Sequence, residues 1–221
     1  MGVTISKQIG LKCRCGAESV LSAWDTVNVT DNPELKSALI EGRLWTHRCP
    51  SCGVEAPVPF PLLYQDMSLP GGPPGASLMV MLSFDEDFDP TELDAGMSDE
   101  QFLSRMGAQT TRLVRSHNAL IEKIHIAESG LDDRSLEVLK AVVRKQVPSM
   151  QEPELLFNGR EDDGAIRMVA LTPEGPRGVT VPLEEYERIH GMLVGLYGAL
   201  AFVRWAEVGR QFGEQVLGKL G

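Results

Sequence analysis

Four cysteines fall in two tight pairs, Cys13-Arg14-Cys15-Gly16 and Cys49-Pro50-Ser51-Cys52-Gly53, and they are all the cysteine in the chain. Thiolates one or two residues apart, followed by glycine, have the shape of a zinc knuckle. A residue without Cβ lets backbone N–H groups turn toward the sulfurs and offset their charge. Two such knuckles supply a tetrahedral four-sulfur shell. The 33 residues between Cys15 and Cys49 leave room for a helix or hairpin. A disulfide or a redox pair is the competing chemistry. Met1 to Gly10 has one lysine, no apolar run and no small-residue cleavage site, which points away from export. In a reducing cytoplasm such pairs favour metal. The expectation is one structural Zn2+ held by Cys13, Cys15, Cys49 and Cys52.

The first pair encloses one residue where a standard knuckle encloses two. So short a turn carries an expectation of a strained shell. His47, two residues before Cys49, is the nearest substitute ligand. Its plainer role is a strand residue beside the site.

Other chemistry is poorly served. Asp85, Asp87 and Asp89 alternate like calcium ligands, but the sixth and twelfth positions of that loop are Pro90 and Gly96, where glycine and glutamate are required. Leu69-Pro70-Gly71-Gly72-Pro73-Pro74-Gly75 lacks the Lys-Ser or Lys-Thr of a phosphate loop, and its prolines have no N–H to donate. No His-Glu-x-x-His, Gly-x-Ser-x-Gly or dinucleotide glycine pattern occurs. The reading is therefore of a protein that is not an enzyme. The net charge of −10 is spread so that no third of the chain is basic. That opposes a phosphate-gripping role, so nucleic acid is an unlikely partner.

The elements that must position the cysteines follow from pattern. Val3 to Leu11 and Glu18 to Val29 read as strands entering and leaving the first knuckle. Asn32-Pro33-Glu34 announces a helix to about Glu41, with Asn32 as its cap and Gly42 at its end. Arg43 to Arg48 enters the second knuckle, and Val54 to Phe60, with Pro57 and Pro59, leaves it as an edge strand. Ser77 to Phe84 reads as a buried strand.

Ser98 and Gln101 form a capping-box signature for a helix running to about Glu128, weakened near Gly107 and Thr110-Thr111. A second helix spans Leu131 to Val147, making an antiparallel pair across Gly130. His117 and His125 read as ordinary surface or satisfied histidines. Beyond Gln151, Leu155–Asn158, Ala165–Leu171 and Gly178–Val181 read as three antiparallel strands. One long helix is expected from Pro182 toward Leu220. Its centre, Gly191 to Val203, is 13 residues without a charge, too short to span a bilayer. Gly191, Gly195 and Gly198 on that helix suggest close packing, within the chain or with a partner.

Particular stretches are also familiar. Val27 to Lys36, Cys49 to Gly53, Pro61 to Met67, Leu120 to Ile124 and Gly130 to Asp133 together resemble the bacterial CpXC family. That family is named for two Cys-Pro-x-Cys motifs. This chain keeps the second and has Cys13-Arg14-Cys15 at the first. The resemblance implies a four-cysteine metal-binding domain and brings no catalytic residues with it.

The fold class read from the sequence is α+β: a zinc-ribbon-like β domain with an inserted helix, a helical hairpin, and a C-terminal strand-helix module. The expected division is residues 1–84, an acidic linker 85–97, the hairpin 98–148, and 151–221. The expected function is a non-catalytic, cytoplasmic, zinc-stabilised scaffold or adaptor, binding another protein or itself through the C-terminal helix. The alternatives are a transcription-associated zinc ribbon acting through protein contacts, or an uncatalogued enzyme.

Overall fold

A computed structural model describes residues 3–69, 75–94, 96–98, 100–102, 109–197 and 204–220. Strands β1 (Ile5–Lys12) and β2 (Glu18–Asn28) form an antiparallel hairpin whose turn carries the first knuckle. The inner end of β2 pairs in parallel with β5 (Leu62–Asp66), placing Val27 opposite Tyr64. β6 (Ser77–Leu82) runs antiparallel to β5, and β7 (Gln109–Val114) runs parallel to β6. The resulting sheet has the order β1-β2-β5-β6-β7. Every residue of β6 is buried, as befits an interior strand covered on both faces.

Helix α1 (Glu34–Ile40) and a separate two-stranded sheet, β3 (Thr46–Arg48) with β4 (Glu55–Pro57), are inserted between β2 and β5. Pro57 is tolerated because β4 pairs only with β3 and has an open side. After β7 come α2 (His117–Glu128) and α3 (Asp133–Gln146). The meander β8 (Glu154–Arg160), β9 (Ile166–Thr172) and β10 (Gly175–Val181) follows, then α4 (Leu183–Tyr197) and α5 (Arg210–Leu220).

Two cores meet at α2. Its Leu120 and Ile124 join Val27, Leu39, Tyr64 and Val80 beneath the five-stranded sheet. Its Ile126 joins Leu136, Leu139, Phe157 and Met168 under the meander. The fold is α+β, as the sequence predicts.

Three local expectations are corrected. The capping box at Ser98 forms, with Ser98 N–H donating to Gln101 and Gln101 N–H donating back to the Ser98 hydroxyl. Yet no continuous helix reaches Glu128: residues 109–114 are strand β7, and α2 starts afresh with Ser116 as its cap. The Gln-Thr-Thr-Arg-Leu-Val run has the β-branched content a strand favours, and β6 offers it a partner edge. The sheet thus draws strands from both sides of the expected acidic linker. Asn32 does not cap α1, because its side-chain oxygen accepts from the Thr4 hydroxyl at 2.7 Å instead. The long terminal helix is two helices, α4 and α5, and between them Trp205 adopts a left-handed backbone with φ of +52°. Gly198 lies outside the described residues.

Candidate metal centre

The two cysteine turns are built alike. In the first, Cys13 N–H donates to Ala17 O and Gly16 N–H to Cys13 O, both at 2.9 Å. In the second, Cys49 N–H donates to Val54 O at 2.9 Å and Gly53 N–H to Cys49 O at 3.0 Å. The first is the second with one residue removed. Gly16 and Gly53 have φ of +88° and +72°, left-handed values that a side chain would strain. That is the physical reason glycine follows each pair.

β1 and β2 carry one turn, β3 and β4 the other, and the two meet. Cys13 Sγ lies 3.6 Å from Cys52 Sγ, and Cys15 Sγ lies 3.7 Å from Cys49 Sγ. All four sulfurs fall within 4.8 Å of one another, a group that could hold a metal ion. A tetrahedral ion with bonds of about 2.3 Å separates its sulfurs by about 3.8 Å. The observed spacing fits that shell. The short first turn brings both of its sulfurs into this group.

The cysteines are free rather than bridged: Cys49 is buried, Cys13 half-buried, and Cys15 and Cys52 exposed. Backbone N–H groups of Cys52 and Ser51 hold the Cys49 thiol down to about 6. The Val54 N–H favours the Cys52 thiolate, but hydrogen bonding to Cys49, Cys15 and Cys13 outweighs it and pushes Cys52 up to about 11. One negative charge settles easily here and a second is resisted. A bound cation would remove that resistance.

His47 is not among the grouped ligands. Its Nε2 shares a 2.8 Å hydrogen bond with the Ser19 hydroxyl, tying β3 to β2 beside the site. Trp45, which immediately precedes β3, is buried in the main core.

A second polar centre has no counterpart in the sequence reading. Arg112 on β7 donates from Nε and Nη2 to the Asp133 carboxylate, both at 2.8 Å. Lys123 on α2 lies 3.0 Å from Asp133 and 3.8 Å from Glu137. Lys140 on α3 bonds Glu137 at 2.8 Å and Glu122 at 2.6 Å. Glu122 also accepts from the Phe157 N–H on β8. All six charged residues are buried. Burial opposes the charge on Asp133, but Arg112 and Lys123 overcome it and hold the carboxyl well below the usual range. The chain of charges balances and links the five-stranded sheet to the β8–β9–β10 meander through α2 and α3, so its chemistry is that of a joint.

The model of the CpXC protein family matches residues 11–140. The match covers more than half of the chain and includes both knuckles. This chain belongs to the CpXC family. No curated protein and no solved structure matches it significantly. Among the described residues, no helix is long and apolar enough to cross a membrane.

Proposed function

We propose that Cys13, Cys15, Cys49 and Cys52 bind one Zn2+ as a structural zinc ribbon, in a cytoplasmic scaffold or adaptor that binds another protein or a second copy of itself. The observation that carries this reading is the closed four-sulfur arrangement. A catalytic zinc keeps a position open for water or substrate, whereas four thiolates fill a tetrahedron. Four unbridged thiols suit a reducing compartment. The net charge of −10 disfavours a phosphate-backbone partner.

The C-terminal part supplies the partner surface in this proposal. Leu193 is buried against the second core, while Met192 and Val194 beside it are 37 % and 42 % exposed. A Cβ added at Gly191 or Gly195 would meet nothing within 4 Å among the described residues, so these glycines pack closely against none of them. They are free to admit a neighbour.

Elemental analysis of protein purified under reducing conditions tests the first half, with about one zinc per chain expected. Affinity purification from the native host, with Gly195→Leu as the comparison, tests the second. Loss of co-purifying proteins with zinc retained is the expected result. Zinc-free protein carrying a disulfide overturns the metal reading. A strictly monomeric protein that keeps its complexes after deletion of residues 183–221 overturns the partner reading.

A further inference from the structure

Arg144 lies near the end of α3, and it is a buried cation with no ion pair among the described residues. The residue is 6 % exposed, and its Nε and Nη1 are buried without any hydrogen-bond partner. Its nearby acids are already engaged. Glu137 is bonded to Lys140 at 2.8 Å, and Glu214 on α5 to Arg210 at 2.7 Å. A guanidinium stripped of water and left unpaired is costly, and such groups are normally satisfied by an anion.

Space for an anion is present. Arg144 lines a cleft of about 400 Å³ between α3, α5 and the segment before β8. Lys145 and Arg210 add positive charge to its wall, and Glu152 and Glu214 add negative charge, leaving one positive charge in excess. Ala141, Leu217 and Gly218 supply an apolar floor. The larger cleft of about 650 Å³ beside the α2–α3 turn is different. Its cations Arg112, Lys123 and Arg134 already face carboxylates at 3.0 Å or less.

We propose that the α3–α5 cleft binds a small organic carboxylate, its charged group on the Arg144 guanidinium and its apolar body against Ala141 and Leu217. A planar carboxylate matches the fork of donors on arginine. The excess of one positive charge matches a monoanion, and the glutamates on the rim repel a phosphate dianion. Burial also draws the Arg144 pKa below its ordinary value, against the opposing pull of Glu137. The site is independent of the cysteine centre, so its failure would leave the zinc reading untouched.

The test is an NMR titration of the full-length protein with sodium benzoate and sodium hexanoate, against sodium phosphate and sodium chloride at matched ionic strength. Saturable shifts of the Ala141, Arg144, Leu217 and Gly218 amides with either carboxylate are expected, with phosphate at least about tenfold weaker. Arg144→Gln is expected to weaken benzoate binding by at least about tenfold. Glu152→Gln removes a repelling charge from the rim without touching Arg144, and it is expected to tighten benzoate binding. This variant keeps the test open if Arg144→Gln does not fold. Any one of four results overturns the site: no saturable shift with either carboxylate, phosphate binding as tight as benzoate, undiminished binding by a folded Arg144→Gln protein, or unchanged affinity in Glu152→Gln.

Discussion

The imidazole of His117 lies stacked on the indole of Trp45, with ring centroids 4.0 Å apart and planes 13° from parallel. Phe84 meets the same imidazole edge-on at 5.1 Å. Trp45 immediately precedes β3 and stands four residues before Cys49. His117 is the first residue of α2. One ring contact thus joins the helix that bridges both cores to the strand that carries the second knuckle. His117 Nε2 is buried without a hydrogen-bond partner. A proton added there would be a charge with no acceptor.

This stack makes stability fall in acid. Burial lowers the His117 pKa in the folded state below its ordinary value near 6.5. A group shifted that way contributes stability that is fully present above the unfolded pKa and is lost as pH falls through the folded one. Melting curves of the wild type should therefore drop as pH falls below about 6.5. His117→Phe keeps the stacking and cannot titrate, so it should drop less. Proton competition for the cysteines acts on both proteins alike. Parallel losses in the two would show that His117 contributes nothing to the pH dependence.

Cys49→Ser and Cys52→Ser should each strip the metal and disorder the β3–β4 sheet. That sheet has only three residues per strand and no third strand to support it, so metal must supply much of its order. Trp45 reports the change, since it is 4 % exposed and adjoins β3. A red shift of tryptophan emission with loss of zinc is expected in the variants and in chelator-treated wild type. Unchanged emission after the metal is removed would mean that the sheet stands without it.

The short first knuckle should gain nothing from extra length. Its sulfurs already reach 3.6 and 3.7 Å from their partners, close to the tetrahedral edge. Inserting proline after Cys13 lengthens a turn whose Gly16 N–H to Cys13 O bond is well formed at 2.9 Å. Zinc affinity in a chelator competition should stay level or fall. Tighter binding by the insertion variant would show that the native turn is strained.

What could be read in the sequence was what local chemistry dictates. Cysteine spacing with trailing glycines marked both knuckles, and turn residues marked the β8–β9–β10 meander. Gln109 to Val114 reads as helix in the sequence because the capping box at Ser98 is genuine and the apolar residues beyond it fit a helical stripe. The competing edge of β6 lies 27 or more residues earlier in the chain, out of reach of a local pattern. The charged joint was invisible for a different reason. Arg112, Glu122, Lys123, Asp133, Glu137 and Lys140 look like solvated faces until the strands and helices converge, and only the Glu137–Lys140 spacing hints at pairing. The break between α4 and α5 was hidden by an unbroken apolar run.

Lys140→Met should destabilise the protein by about 3–5 kcal/mol, because it leaves Glu122 and Glu137 buried without their shared cation. Burial works against the Lys140 charge, but Glu122 and Glu137 raise its pKa above the ordinary value. Its contribution is accordingly present below the unfolded pKa and lost only as pH rises through the folded one. The triple variant Glu122→Gln, Glu137→Leu, Lys140→Met should recover part of the loss by removing the stranded charges. Denaturant unfolding curves measure both. A loss below about 1 kcal/mol in Lys140→Met would place this network among ordinary surface pairs.

Two glycines separate folding from partner binding. A Cβ at Gly213 on α5 would run into the backbone carbonyl of Glu137 on α3, so α5 packs closely on α3 at this point. Gly213→Ala should cost about 1–3 kcal/mol by forcing α5 away from α3. Gly195 on α4 is the opposite case: a Cβ there meets nothing within 4 Å, and the neighbouring Val194 is 42 % exposed. Gly195→Leu adds bulk only where a partner would sit, and replacing a helical glycine should leave stability level or raise it by about 1 kcal/mol. Thermal melts and complex recovery, measured on both variants, distinguish the roles. The expected pattern is a lower melting temperature for Gly213→Ala and lost association at undiminished stability for Gly195→Leu. Intact association by Gly195→Leu would move the partner surface away from α4.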